Sequence, residues 1–247
     1  MRLAELTRQA AADAAAAGAI AVLPVGSVEQ HAHHLPVGTD GLLVAAVADG
    51  IERSRSESVL LMPVQWYGAS AHHLAFPGTA SLSSELFARL TVEVLASYAR
   101  STGQRRFLIL NGHGGNEAPL RIALEGFRAS VPDGIAWACS YWGPMLEAMK
   151  EDGMRGSPVM GHADEIETSL MLAVLGDAVA GPGAADVESV SPYPWLHTSL
   201  GFDRATRGGG VGSPAGATAQ RGRRMLELAV GRLAGLVDEL AGSGHTF

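Results

Sequence analysis

A chain of 247 residues, 47% hydrophobic and only 17% charged, can bury a large core, which excludes a disordered or fibrous protein. The formal charge of −7, with acidic and basic residues scattered, leaves no basic stripe for phosphate backbones and excludes nucleic acid as a partner. A single cysteine, Cys139, rules out an internal disulfide and reads as a small buried hydrophobe; with no basic leader and no run of about 18 apolar residues, a cytoplasmic protein without a membrane partner is expected.

Taken in order, the chain alternates helix-like and strand-like segments. Alanine-rich sequence from Arg2 to Ala17 favours a helix that Gly18 stops, and the continuous apolar run from Ala19 to Val25 reads as a strand buried on both faces. Helical spacing returns from Leu42 to Glu52, and Val59 to Val64 reads as the next strand. Ser83 or Ser84 can cap a helix reaching about Ala99 and ended by Gly103; Arg106 to Leu110 is strand again, Asn116 can cap a helix from Glu117 to Ala129, and Ile135 to Trp142 is another strand. The pattern from Gly161 to Leu175 is helical, residues 177–213 read as an irregular lid or surface segment, and a last helix runs from Thr218 to Ala241. Strand-then-helix repetition predicts one α/β domain over residues 1–247, a three-layer α/β/α arrangement around a mainly parallel sheet.

The stretch after the first strand, from Gly26 to Asp40, carries Glu29, His31, His33, His34 and Asp40 at a strand's carboxyl end, where ligand sites gather in open α/β sheets. Glu29 and His31, two apart, share one side of an extended segment, and Asp40 returns after a Pro/Gly turn. His113 follows another apolar run, in Asn111-Gly112-His113-Gly114-Gly115-Asn116, whose glycines permit close backbone approach and whose amides suit an oxyanion. A third cluster is His162-Ala163-Asp164-Glu165-Ile166-Glu167-Thr168. Burying so many titratable groups costs several kcal/mol each unless a cation or hydrogen bonds compensate, and imidazole with carboxylate but no thiolate suits zinc, manganese or iron. A phosphate-binding reading of the Gly-rich turn is the rival, but the lysine and Ser/Thr of a Walker sequence are absent.

Pro24-Val25-Gly26-Ser27-x-Glu29-Gln30-His31, Phe76-Pro77-Gly78-Thr79, Asn111-Gly112-His113-Gly114-Gly115-Asn116 and His162-x-x-Glu165-x-Glu167-Thr168-Ser169, with a weaker echo in Gly210-Val211-Gly212-Ser213-Pro214, together resemble the creatininase family of metal-dependent amidohydrolases. The resemblance implies two divalent ions per chain, with Glu29, Asp40 and His113 on one, and His31 with a shared Asp40 on the other. Creatininase's glutamate two residues beyond the Asn-Gly-His histidine falls here at Gly115, so another group must serve. Glu165, three residues after His162 and on the same helical face, is the expected last ligand; Glu167, rotated by about 200° from it, is expected behind the ligands. His162 matches a histidine that assists catalysis and is the expected proton shuttle, although creatininase's preceding glutamate is Gly161 here. By the same resemblance His73 stands at the pocket rim and Trp142 covers substrate, beside Gly114 and Gly115; Asn116 and His34 are expected to support the ligands from behind.

The expected activity is a binuclear metal-dependent amidohydrolase of a small or cyclic amide, in which water activated by the metals attacks the carbonyl and His162 passes a proton to the leaving nitrogen. Gly115 and Gly161 keep open a non-catalytic metal-dependent binding or sensor protein. The family also includes a peptidase of a modified precursor peptide. It further implies a closed homo-oligomer, commonly a hexamer, for which Trp66, Tyr67, Tyr193 and Trp195 are surface candidates.

Overall fold

The computed structural model describes residues 1–154, 159–176, 179 and 198–242. Four strands, β1 (Ile20–Val25), β2 (Val59–Leu61), β3 (Arg106–Asn111) and β4 (Ile135–Ser140), form one parallel sheet in the order β2-β1-β3-β4. The central strand is apolar throughout because both its faces are covered, and its alternation sorts the core into two layers. Ile20 and Val22 of β1, with Leu108 and Leu110 of β3, pack against α2 (Thr39–Ser54), α6 (Glu165–Leu175) and α7 (Ala219–Gly242), joined by Met145 and Met149 of α5 (Trp142–Glu151). Ala21, Leu23, Val25, Phe107 and Ile109 face α3 (Ser84–Thr102) and α4 (Glu117–Ser130) on the other side, where the short α1 (Arg8–Ala16) lies along α3. The expected three-layer α/β/α architecture is therefore found.

The chain runs from β1 to its neighbour β2 on one side and then crosses to β3 on the other. The connections leaving the carboxyl ends of β1 and β3 consequently diverge and leave a crevice between them.

Element boundaries differ from the sequence reading for local reasons. The first α-helix begins at Arg8 rather than Arg2, because Thr7 accepts a hydrogen bond from the Ala10 amide and caps it. Helix α2 starts at Thr39, three residues early, which draws Asp40 into its first turn. Strand β2 stops at Leu61, before Pro63, and β4 stops at Ser140, so that Tyr141 and Trp142 open α5 instead of prolonging the strand. Helix α6 begins only at Glu165, where Asp164 caps it by accepting from the Ile166 and Glu167 amides. Of the expected lid, residue 179 and residues 198–213 are described, including a short helical turn at Phe202–Arg204. Among the described residues no helix is long and apolar enough to cross a membrane.

Candidate metal centre

Three glycines allow the site-bearing connections to meet. A Cβ on Gly26, just beyond β1, would come within 2.6 Å of the Gly41 Cα in the first turn of α2, and one on Gly112, just beyond β3, within 2.7 Å of the Asp40 carbonyl oxygen. Gly26, Gly41 and Gly112 thus bring the β1 loop, the α2 start and the β3 loop into backbone contact. The side chains that project from this junction are carboxylates and imidazoles.

His113 Nδ1 lies 3.2 Å from Glu29 Oε2 and 3.1 Å from Asp40 Oδ2. On the other side of Asp40, His31 Nε2 is 3.2 Å from Oδ1 and 3.7 Å from Glu167 Oε1. Glu29, His31, Asp40, His113 and Glu167 are all buried. Yet Glu29 Oε2, Asp40 Oδ2 and His31 Nε2 complete no hydrogen bond of good geometry, although imidazole nitrogens and carboxylate oxygens face one another at short distances. Orphaned atoms of this kind in a buried site need a proton or a cation. Burial opposes the charge on both imidazoles, but the Asp40 and Glu167 carboxylates raise His31 well above its ordinary range, and Glu29 and Asp40 push His113 up to about 10. Burial likewise works against the Asp40 carboxylate, and His31 and His113 overcome it and hold its pKa below the ordinary range. The set accordingly fits divalent ions on Glu29, Asp40 and His113 and on His31, Asp40 and Glu167, with Asp40 facing both.

The hydrogen bonds behind these donors set their tautomers. His113 Nε2 lies 3.3 Å from the Ala69 carbonyl oxygen, which can only accept, and 3.0 Å from Ser70 Oγ, so Nε2 carries the hydrogen and Nδ1 is left to the carboxylates. Gln30 Oε1 accepts from the Ala32 amide, so its amide nitrogen donates, to His73 Nδ1 at 2.8 Å and to the Gly209 carbonyl oxygen at 2.8 Å. His162 Nε2 donates to the Gln30 backbone oxygen at 2.8 Å, and its Nδ1 is left facing Glu29 Oε1 at 3.6 Å. Burial and then the neighbouring His31 push the His162 pKa down, which favours the uncharged ring. An antiparallel bridge between His162 and Val211 holds this segment, which accounts for the echo motif around Gly210.

The expected last ligand requires correction. Glu165 turns away to an ion pair with Arg221 at 2.6 Å, and Glu167 is the carboxylate that reaches His31. The helical register with His162 fails because His162 precedes the helix in extended backbone, and Ala163, at φ +54°, reverses the chain before α6 begins. Asn116 also departs from the cap expected of it: its side chain donates to the Gly26 carbonyl and accepts from the Ala69 amide, tying the β1 and β2 connections together behind His113. His34 is buried against Thr168 Oγ1 at 2.9 Å, whereas His33 is exposed.

A cavity of about 230 Å³ opens on the donors and is lined by His72, His73, Gly114, Gly115, Trp142 and Phe202 among others. Phe202 covers it from the lid segment, with its ring 4.3 Å from His73 and 5.1 Å from His162. Neither Phe202 nor Gln30 was singled out by the sequence reading. Gln30 lay between two obvious donors as an uncharged amide, and Phe202 sits in a segment without periodicity; tertiary contact alone reveals both. Tyr193, Trp195, His197 and His245 lie outside the described residues.

The family model described as creatininase, creatinine amidohydrolase, matches residues 4–237. Among curated relatives, the mycofactocin precursor peptide peptidase of Mycobacterium tuberculosis (strain ATCC 25618 / H37Rv) is 33% identical over 222 residues, covering 85% of this chain and 80% of the relative. The creatinine amidohydrolase of Pseudomonas putida is 29% identical and covers 95% of both chains. Among solved structures, a crystal structure of creatinine amidohydrolase superposes with a TM-score of 0.82 at 27% identity, covering 98% of each chain, and related creatininase structures are described as Zn-Zn and Mn forms. The chain belongs to the creatininase family of hydrolases.

Proposed function

We propose that this protein is a binuclear metal-dependent hydrolase of C–N bonds in small or cyclic amides. The observation that carries the reading is the convergence of five buried carboxylate and imidazole side chains, three of them with an atom that completes no hydrogen bond, at the base of a cavity lined by Glu29, Asp40, His113 and Glu167, with His162 beside them. Two bound ions would supply a Lewis acid for the carbonyl and an activated water as nucleophile. The chain's own residues do the rest. His162, its Nε2 hydrogen committed to the Gln30 carbonyl, has Nδ1 free to take a proton and return it to the departing nitrogen. The backbone of Gly114 and Gly115 borders the space where the carbonyl oxygen would sit, and Phe202 and Trp142 limit water access. The cavity volume of about 230 Å³ favours a small substrate.

A second reading, hydrolysis of a peptide bond near the end of a chain, is favoured by the similarity to several mycofactocin precursor peptide peptidases. The experiment is metal analysis of the zinc- or manganese-replete protein, followed by turnover on parallel panels of small amides and short peptides, with Asp40→Ala as control. Two ions per chain and turnover of small amides are expected, with both ions lost in Asp40→Ala because that carboxylate faces both positions. Binding of one ion at most in the unmodified protein would remove the binuclear reading, metal without turnover on either panel would favour a sensor, and turnover of peptides alone would favour the peptidase.

A further inference from the structure

The short turn Ala71–His73 presents two adjacent histidines, and only one of them is tied down. His73 is buried and hydrogen-bonded to Gln30, with its Nε2 3.5 Å from Glu29. His72 is partly buried, lines the cavity, and its ring nitrogens make no hydrogen bond among the described residues. Its ring stands nearly parallel to His113, 14° between planes and 5.6 Å between centroids. Donor atoms of Glu29, His72 and His113 all lie within 4.8 Å of one another. Ligands of one ion, each about 2.1 Å from it, are separated by up to about 4.2 Å, so these three are close to a shared coordination sphere.

Gly115 explains how the imidazole fits. A Cβ there would meet His72 Cε1 at 2.7 Å and His113 Nε2 at 2.5 Å, as well as the Ala69 carbonyl, so a residue with any side chain would drive His72 from its place. The bare position and the unpaired imidazole are complementary.

We propose that His72 is a further ligand of the ion held by Glu29, Asp40 and His113, an inference that rests on the metal-centre reading above. The ion then has two carboxylates and two imidazoles around it, a donor set that suits zinc, iron or cobalt over manganese, which prefers oxygen ligands. His72→Phe keeps an aromatic ring against His113 and Phe202 and removes both nitrogens; His72→Ala removes the ring as well.

The test loads each protein with Zn²⁺ alone and follows retention by elemental analysis through dialysis against graded chelator; in parallel, Co²⁺-loaded samples are examined by NMR for hyperfine-shifted imidazole N–H signals. The unmodified protein should retain two zinc ions. Both variants should release one of them at a chelator concentration at least about tenfold lower, while the other ion is held as before, and the cobalt spectrum of His72→Phe should lack one imidazole signal. Equal retention of both ions in the variants, with an unchanged imidazole count, would overturn the assignment of His72. Failure of the unmodified protein to bind zinc would instead show in the control and overturn the metal centre on which the inference rests.

Discussion

Glu165 and Glu167 are two residues apart at the start of one helix, and the backbone before that helix decides which of them serves the site. With His162 held in a bridge to Val211 and Ala163 in the left-handed region, α6 is aimed so that Glu167 points inward to His31 and Glu165 outward to Arg221. Glu167→Gln should therefore sharply lower metal retention. Glu165→Gln, which breaks a partly exposed ion pair, should leave it near normal and cost no more than about 1 kcal/mol of stability in denaturant titration. The opposite order would mean that the inward carboxylate is structural. His162→Ala is expected to lower turnover by about 10²- to 10⁴-fold while both ions stay bound, since Nδ1 is placed to move a proton. Loss of an ion in that variant would show His162 to be a ligand together with Glu29 and His31, whose donor atoms lie within reach of it.

At the level of elements, what the sequence revealed was whatever leaves a periodic or positional trace. Continuous apolar runs marked β1 and β3, and the donors just beyond them, Glu29, His31, Asp40 and His113, were legible because strand ends in this architecture deliver side chains to one rim. Local cues misled where two elements meet. Tyr141 and Trp142 continue the apolar pattern of β4 but begin α5, and Gly161 to Asp164 have helix-compatible spacing yet stay outside the helix, because His162 pairs with Val211, more than forty residues away, and Ala163 then turns through the left-handed region. Asn116 looked like a cap and is instead a strut between loops. The same junctions give a prediction for the glycines. In Gly112→Ala the new methyl would press on the Asp40 carbonyl and on Val44 Cβ at 2.8 Å, displacing the first turn of α2. Overpacking of this kind costs about 1–3 kcal/mol. Calorimetry on chelated protein should show Tm lower by a few degrees, with metal affinity reduced beyond that loss; an unchanged Tm and metal content would mean that the turn shifts freely.

For the molecule as a whole, Trp66 and Tyr67 are 40% and 55% exposed on the connection after β2, next to the site-bearing turn of α2. We propose that they lie in the contact between subunits of a closed homo-oligomer. Light scattering should show an assembly larger than a monomer, and across a dilution series turnover should fall before metal is released, because all the donors come from one chain. A fully active monomer would overturn any need of turnover for this subunit contact and leave the metal centre standing. Among the described residues, none that lines the cavity belongs to a strand: all are supplied by connections, short turns or the first turns of helices, while the sheet and its two apolar layers only fix where those pieces start. Inheritance can therefore act on the two parts separately. Trp142, Met160 and Phe202 can be varied with less effect on folding than the buried strand residues, so new substrate ranges are cheap to explore, and a scaffold of this kind turns up in relatives named for a peptide, for creatinine and for an inosose.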